Sequence, residues 1–468
     1  MDAVALAAAV RAGEASAVEV AEAALRRAEE LNPALGAFAS VAPEFALDQA
    51  AAVDAAVARG EDPGPLAGVP LPIKDLVAVA GLPFAAGSRA LAGNIGSTTD
   101  AVAQRLIDAG SITLGKTATP EFGFPCYTEP DGAPPAVTPW DVTRMAGGSS
   151  GGAAAAVAAG IAPIAHASDG GGSIRIPASC CGLVGLKASR GLVSTMPSRM
   201  PGPGLVSDGV LSTTVRDTAL GLDVLAPGNG FLAGLNAAPR RLRVGVLTTQ
   251  VISDTALVHD ACLAAVADTA ELLGALGHAV AQAPRPFAPD RWAAFDAVWT
   301  TGAASIPLPP EADGALTPMT RWLRERGRRV SAVEYAAALG EIQRLGWDVD
   351  RAWEEFDVVL TPTLAQPPPP VGALRNDADP AADFAAQIDF TPWTSIANLT
   401  GRPSTSLPLA RAEVDGITLP IGVMLTGRRG ADAALLLLAA ELELTCPWPT
   451  TVPPGASTLG QPSPLPGL

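Results

Sequence analysis

Two clusters of glycine and serine, Gly147-Gly148-Ser149-Ser150-Gly151-Gly152 and Gly170-Gly171-Gly172-Ser173, stand on either side of the most apolar stretch of the chain, Ala153 to Ala167. Glycine runs let a backbone turn tightly and approach its neighbours closely, so they need rigid elements on each side to hold them. The stretch between them is interrupted by Gly160 and Pro163 and is too short to cross a bilayer. It reads as an Ala-rich helix over about 153–159, with the second glycine cluster at 170–172 followed by a strand-like segment at 183–186.

The same alternation runs through the rest of the chain. Residues 3–11 read as a helix, and Ser16-Ala17-Val18-Glu19 as a capping box opening a second one, which Asn32-Pro33 stops. Ala50–Ala58 and 101–109 read as helices, and Ile112-Thr113-Leu114 as a buried strand ended by Gly115. Residues 126–150 form a long loop, and 225–240 a surface connection. Strands are expected at Leu242–Leu247 and Phe356–Pro362, a helix over about 260–276, and a rigid turn at Pro367–Pro370. This pattern predicts an α/β sandwich with a mostly buried sheet. The organisation expected is N-terminal helices at 1–60, a core at 61–225, a second half at 240–450, and a Pro-rich tail over 451–468 lying extended on the surface.

Hydrophobic residues make up 48% and charged residues 17%, which marks a folded chain, and aromatics are only 4%, so the core must be built from Ala, Val and Leu. The net charge of −16 repels phosphate backbones and anionic membrane surfaces, which argues against nucleic-acid and membrane partners. Cys180 and Cys181 are adjacent among five cysteines, so a disulfide framework is not expected, and both read as core residues. No Cys/His grouping has metal-ligand spacing, and no metal or cofactor is expected. A reduced, cytoplasmic setting fits these features.

Of 31 basic side chains only Lys74, Lys116 and Lys187 are lysines. Arginine cannot serve where a neutral amine is needed, which makes each lysine a candidate. The first glycine cluster has the outer glycines of a phosphate loop, but Ala153-Ala154 stands where Lys and Ser/Thr are required. It also matches G-x-S-x-G, yet that architecture needs a late histidine, and none follows His278. A third reading is a serine that works without histidine; a fourth is a plain turn into the Ala helix. The second cluster, 24 residues on at Ser173, favours the third. Three successive glycines let N–H groups converge on one point, as an oxyanion hole requires.

The ordered blocks 68–75 (Gly-Val-Pro-Leu-Pro-Ile-Lys-Asp), 114–122, 147–152, 169–178 and 182–187 resemble the amidase signature family over roughly residues 5–450. Thr128-Glu129-Pro130 and His166 are similar to the subgroup that hydrolyses nylon-type cyclic amide dimers. Ala167-Ser168-Asp169 stands where many members have Gly-Thr-Asp, with the hydroxyl kept.

The resemblance implies a single α/β domain, a mixed central sheet covered by helices on both faces, with a Ser-cisSer-Lys arrangement. Ser173 is then the nucleophile, Ser149 the bridging serine, Lys74 the base, and Gly170, Gly171, Gly172 and Ser173 supply the oxyanion N–H groups. Asp169 and Arg175 would brace that nest, although an ordinary loop ion pair is the alternative. Ser150 is expected to matter through its backbone. Lys116, Lys187 and His166 are expected to be structural. Phe124, Trp393 and Asn398 are expected to line a mainly apolar pocket for aryl or alkyl amides. The reaction implied is amide hydrolysis through an acyl-enzyme, by a monomer or homodimer acting on a small-molecule amide. An esterase, the glutaminase subunit of a tRNA-dependent amidotransferase, and a catalytically dead binding protein are the alternatives.

Overall fold

A computed structural model describes residues 1–200, 202–450 and 452, so the expectation for the Pro-rich tail falls almost entirely outside the described residues. Near the N-terminus, helices α1 (Ala3–Arg11), α2 (Ala17–Leu35) and α3 (Pro43–Ala58) pack beside a small sheet. That sheet joins β1 (Phe38–Val41), β2 (Ile73–Lys74) and β3 (Gly115–Thr117) in the order β1-β3-β2. Helix α4 (Ala101–Asp108) and the pair β4 (Val137–Thr138) and β5 (Asp141–Met145) precede helix α5 (Gly151–Ala158).

The central sheet begins with β6 (Ile164–Asp169). After helix α6 (Arg175–Cys181) come β7 (Val184–Lys187) and β8 (Ser207–Ser212), and after helix α7 (Val215–Leu225) come β9 (Arg243–Val246), β10 (Ala279–Gln282), β11 (Val358–Pro362), β12 (Ser404–Val414) and β13 (Ile417–Gly427). Their order is β10-β9-β11-β13-β12-β7-β8-β6. The β10/β9 and β11/β9 pairs are parallel and the others antiparallel, so the sheet is mixed.

Side chains on successive strand positions point to opposite faces, and here both faces are covered. Val358 and Leu360 pack with Val423 and Leu425 against α7 and the helices Asp260–Ala275 and Asp432–Thr445. Their neighbours Val359 and Met424 face the other way, into a core with the helices Ala293–Ala304, Ala332–Ala352 and Ser395–Thr400. Leu211, beside Val210 of the first core, packs on α5, α6 and α2. The architecture is the mixed sheet between two helical layers that the sequence implied.

Several local expectations are corrected. Helix α2 runs through Pro33 to Leu35 and ends at Gly36, whose left-handed conformation stops it; a proline in the last turn removes only one intrahelical bond. Ser16 caps α2, but the acid that completes the start is Asp54 of α3, which accepts from Ser16 Oγ at 2.7 Å and from the N–H groups of Ala17 and Val18. The third helix begins at Pro43, seven residues before the position expected. Ile112 makes only a bridge to Pro70, and the strand starts at Gly115 rather than ending there. The connection at 225–240 contains a short helix, Phe231–Gly234. Pro367–Pro370 is more than a turn, since Pro369 O accepts from Met145 N at 3.0 Å.

Helix α5 is buried on every side, which explains its Gly/Ala composition. A Cβ on Gly152 would stand 2.4 Å from Ala37 O and 2.5 Å from Ala118 N. Both obstacles are backbone and have no rotamer to change. Gly152→Ala is therefore expected to destabilise the fold by about 1–3 kcal/mol, read as a lowered urea midpoint with little change in m-value.

Candidate active site

Lys74 sits at the edge of the small sheet, where β2 pairs in parallel with β3 (Ile73 opposite Lys116, Lys74 opposite Thr117). His166 N donates to Pro72 O, which ties β2 to β6 and aims the Lys74 stem under the first Gly/Ser cluster. Lys74 is fully buried. Its Nζ lies 2.8 Å from Ser149 Oγ, 2.8 Å from Ser150 Oγ, and 3.2 Å from both the carbonyl and the hydroxyl of Ser168. Burial is the main cause of its depressed pKa, lowered from 10.5 to about 7 against the opposing pull of Asp208 and Asp169.

Lys187 is also fully buried and is also lowered to about 7, chiefly by desolvation. Its Nζ donates to Ala188 O, with no serine hydroxyl in contact among the described residues. Lys116 pairs with Asp75 at 2.8 Å. Depressed basicity alone does not single out Lys74; contact with three hydroxyls does.

The Gly148–Ser149 peptide is cis. Thr128 pins this loop by donating to Gly147 O and accepting from Gly151 N. Ser150 was expected to act through its backbone, but its hydroxyl joins the network directly, donating to Ser168 O at 3.2 Å. Lys74 needs acceptors because burial strips its water, and the second serine supplies one.

The second cluster is held by a buried carboxylate. Asp169, the last residue of β6, accepts from Gly172 N at 2.8 Å, Ile174 N at 3.1 Å and both Nε and Nη2 of Arg175 at 3.0 Å. Burial opposes ionisation of Asp169, but the Arg175 charge and these donors outweigh it and hold the carboxyl at about 2. Gly172 has φ near +140°, where a Cβ would also strike Thr394 Oγ1 at 2.7 Å. Gly172 was expected to donate to an oxyanion, but its N–H is engaged by Asp169. The N–H groups of Gly170, Gly171 and Ser173 have no acceptor among the described residues.

Ser173 and Gly171 open onto a cleft lined by Phe124, Ile176, Trp292, Phe295, Trp299 and Phe384 among others. The fold brings Lys74 to Ser149, with no hydrogen bond between Ser149 and Ser173 among the described residues. Phe124 lines the cleft. Trp393 does not: it is fully buried, and its indole N–H donates to Thr249 O. Asn398 does not either, because its amide is consumed inside the brace, donating to Asp169 and accepting from Arg175 Nη2 at 2.8 Å.

The sequence reading missed the aromatic wall. Trp292 stacks on Phe295 at 4.8 Å, Phe295 on Trp299 at 5.2 Å, and Phe124 meets Trp299 edge-on at 5.4 Å. The spacing of Trp292, Phe295 and Trp299, i, i+3, i+7, was the available signal in a chain poor in aromatics. Among the described residues, no cluster of His, Cys, Asp and Glu could hold a metal ion, and no helix is long and apolar enough to cross a membrane.

The model of the Amidase family matches residues 19–436, and the chain belongs to that family. It is an amidase, a hydrolase of amide carbon–nitrogen bonds. A Mycobacterium tuberculosis protein provisionally named amidase AmiC is 38% identical, covering 96% of this chain and 95% of the relative. The 6-aminohexanoate-cyclic-dimer hydrolase of Paenarthrobacter ureafaciens is 35% identical over the same shares. A structure of 6-aminohexanoate cyclic dimer hydrolase with substrate superposes with a TM-score of 0.87 at 32% identity, covering 96% of this chain and 97% of that one.

Removing Arg175 would leave Asp169 buried without its cation. Arg175→Met is expected to destabilise the fold by about 3–5 kcal/mol at pH 7. In the wild type, the folded pKa of Asp169 lies below its unfolded value, so this stabilisation is present above about pH 4 and lost as pH falls toward 2. Without Arg175 the carboxyl titrates higher, and the acid-unfolding midpoint followed by circular dichroism should move to higher pH.

Proposed function

We propose that this amidase works through Lys74, Ser149 and Ser173, by way of an acyl-enzyme. The observation that carries the reading is a fully buried Lys74 whose Nζ is 2.8 Å from Ser149 Oγ and whose pKa lies near 7. An amine with that basicity is neutral in a useful fraction of molecules at neutral pH and accepts a proton from a hydroxyl.

Ser173 Oγ attacks the carbonyl carbon while its proton passes to Ser149 and the Ser149 proton to Lys74. The negative oxygen of the tetrahedral intermediate is met by the N–H groups of Gly170, Gly171 and Ser173, which Asp169 leaves unengaged by taking the neighbouring ones. The relay then runs backwards and delivers the proton to the nitrogen as the C–N bond breaks, because an amide anion is too poor a leaving group. Water repeats the sequence on the acyl-enzyme and frees Ser173.

The cleft supports a neutral, apolar amide. Its lining carries Phe, Trp, Ile and Pro side chains with Gln387, Thr391 and Ser395, and no charged side chain among the described residues. Gln387 is already committed, accepting from Cys126 N and donating to Asp383. A charged group entering this cleft would lose its water without gaining a counter-ion. A cyclic amide of the kind the Paenarthrobacter relative's name describes has no charged termini, and an aryl amide would stack on the wall.

Single-turnover hydrolysis of an aryl amide, without added metal, tests the relay. Ser173→Ala and Lys74→Met are each expected to lose about 10³-fold or more; full activity in Ser173→Ala would place the nucleophile elsewhere. For the wild type, kcat/KM should rise with pH through a limb near 7 and then level, because only the neutral amine accepts the proton.

The wall makes a separate prediction. Trp299→Ala should raise KM for an aryl amide by roughly tenfold and change that for a small alkyl amide much less, read from steady-state kinetics on the matched pair.

A further inference from the structure

Behind Lys74 stands a buried group that the relay does not use. Asp208 on β8 is paired across the sheet with Ser168 on β6, the residue whose carbonyl and hydroxyl both take hydrogen bonds from Lys74 Nζ. Asp208 is fully buried, and its Oδ1 lies 3.2 Å from His166 Nε2, also on β6. Burial lowers the pKa of His166 in spite of that carboxylate, so the ring is neutral and Nε2–H donates. The cation that offsets the Asp208 charge comes from elsewhere: Arg199 Nη2 donates to Oδ2 at 2.9 Å.

Arg199 belongs to the connection between β7 and β8, outside the sheet. A turn fixes it, with Thr195 Oγ1 donating to Arg199 O and Arg199 N to Thr195 O. Ser198 Oγ accepts from Ala101 N at the start of α4, and Asp100 lies 3.3 Å from Arg199 Nε. The guanidinium is about one-third exposed while the carboxylate it meets is sealed.

We infer that Arg199 is a positioning residue for the base: by neutralising the buried Asp208 carboxylate behind Ser168, it lets Lys74 give up its proton at neutral pH. This rests on the reading of Lys74 as the base. The charged and titratable groups bearing on Lys74 are Asp208 from β8, Asp169 and His166 from β6, and Arg199 from the connection. Asp208 and Asp169 favour the ammonium, and Arg199 opposes it. Asp169 already has Arg175, and the nearby Asp75 has Lys116. Arg105 of α4 bears on Asp208 from a distance, its Nη2 bonded to Ser194 O. Arg199 is the cation in contact with Asp208 among the described residues.

The test is the pH profile of kcat/KM for a neutral aryl amide in four variants. Arg199→Gln should move the acid limb up by about one unit, so that activity at pH 6 falls about tenfold while the alkaline plateau falls far less. Arg199→Lys, which keeps the charge, should hold the limb near the wild-type position. Asp208→Asn should move it to lower pH, and leaves the partly exposed guanidinium with Asp100 as its carboxylate, so it carries the test if Arg199→Gln does not fold. A limb that stays in place in Asp208→Asn, or a uniform loss at every pH in Arg199→Gln, overturns the inference. Lys74→Met is run alongside: if it keeps its activity, the relay reading fails instead, whatever the limbs do.

Discussion

A lysine ammonium sealed from water, with no carboxylate in contact among the described residues, is the constraint around which this molecule is arranged. Lys116 shows the ordinary solution, an aspartate at 2.8 Å. Lys74 has instead the hydroxyls of Ser149, Ser150 and Ser168 and one carbonyl, all of which a neutral amine satisfies as well as a charged one. Meeting it takes three parts of the fold at once: β2 to carry the stem, the loop before α5 to bring two serines, and β6 to bring the third. The close fit of α5 against Ala37 and Ala118 follows from the same convergence.

The second buried charge is handled in the opposite way. Asp169 is surrounded by donors and held ionised at about 2, and it orders the glycine loop by capturing the N–H groups of Gly172 and Ile174. Arg175, Asn398 and Thr394 close around it, with Thr394 Oγ1 donating to Gly171 O at 2.7 Å. A carboxylate fixes the backbone beside a cleft that Gly171 and Ser173 line. Two sites that meet at the adjacent β6 residues Ser168 and Asp169 thus hold opposite protonation chemistry through differences in contact, both being equally dry.

Much of this was legible in the sequence because it is written locally. Lysine at only three positions, and glycine runs abutting serines, point to the site without any knowledge of the fold. The α/β character was legible from alternating segments, and its two-sided mixed sheet from the family resemblance. What escaped reading depends on distant residues. Pro33 looked like a helix stop because its tolerance rests on its place one turn before Gly36. Asp54 completing the cap of α2 lies 38 residues from Ser16. Trp393 and Asn398 sit near the cleft in sequence order of the fold, but each spends its polar atoms inward. The free N–H groups could not be separated from the engaged one, Gly172, without knowing where the Asp169 carboxylate lies.

The groups proposed for bond cleavage all fall between residues 74 and 173, whereas most of the aromatic wall comes from residues 292–299 and 384. The wall rests on the glycine loop where Trp299 covers Gly170 and Phe295 lies over Gly171. On that proposal the labour is divided along the chain, with one stretch keeping the reaction and another the acceptance of substrate. Substitutions in the later stretch alter shape and stacking without disturbing a buried proton or a braced carboxylate. A lineage built this way is free to explore new amides by drift in one segment while the other stays under unchanging selection.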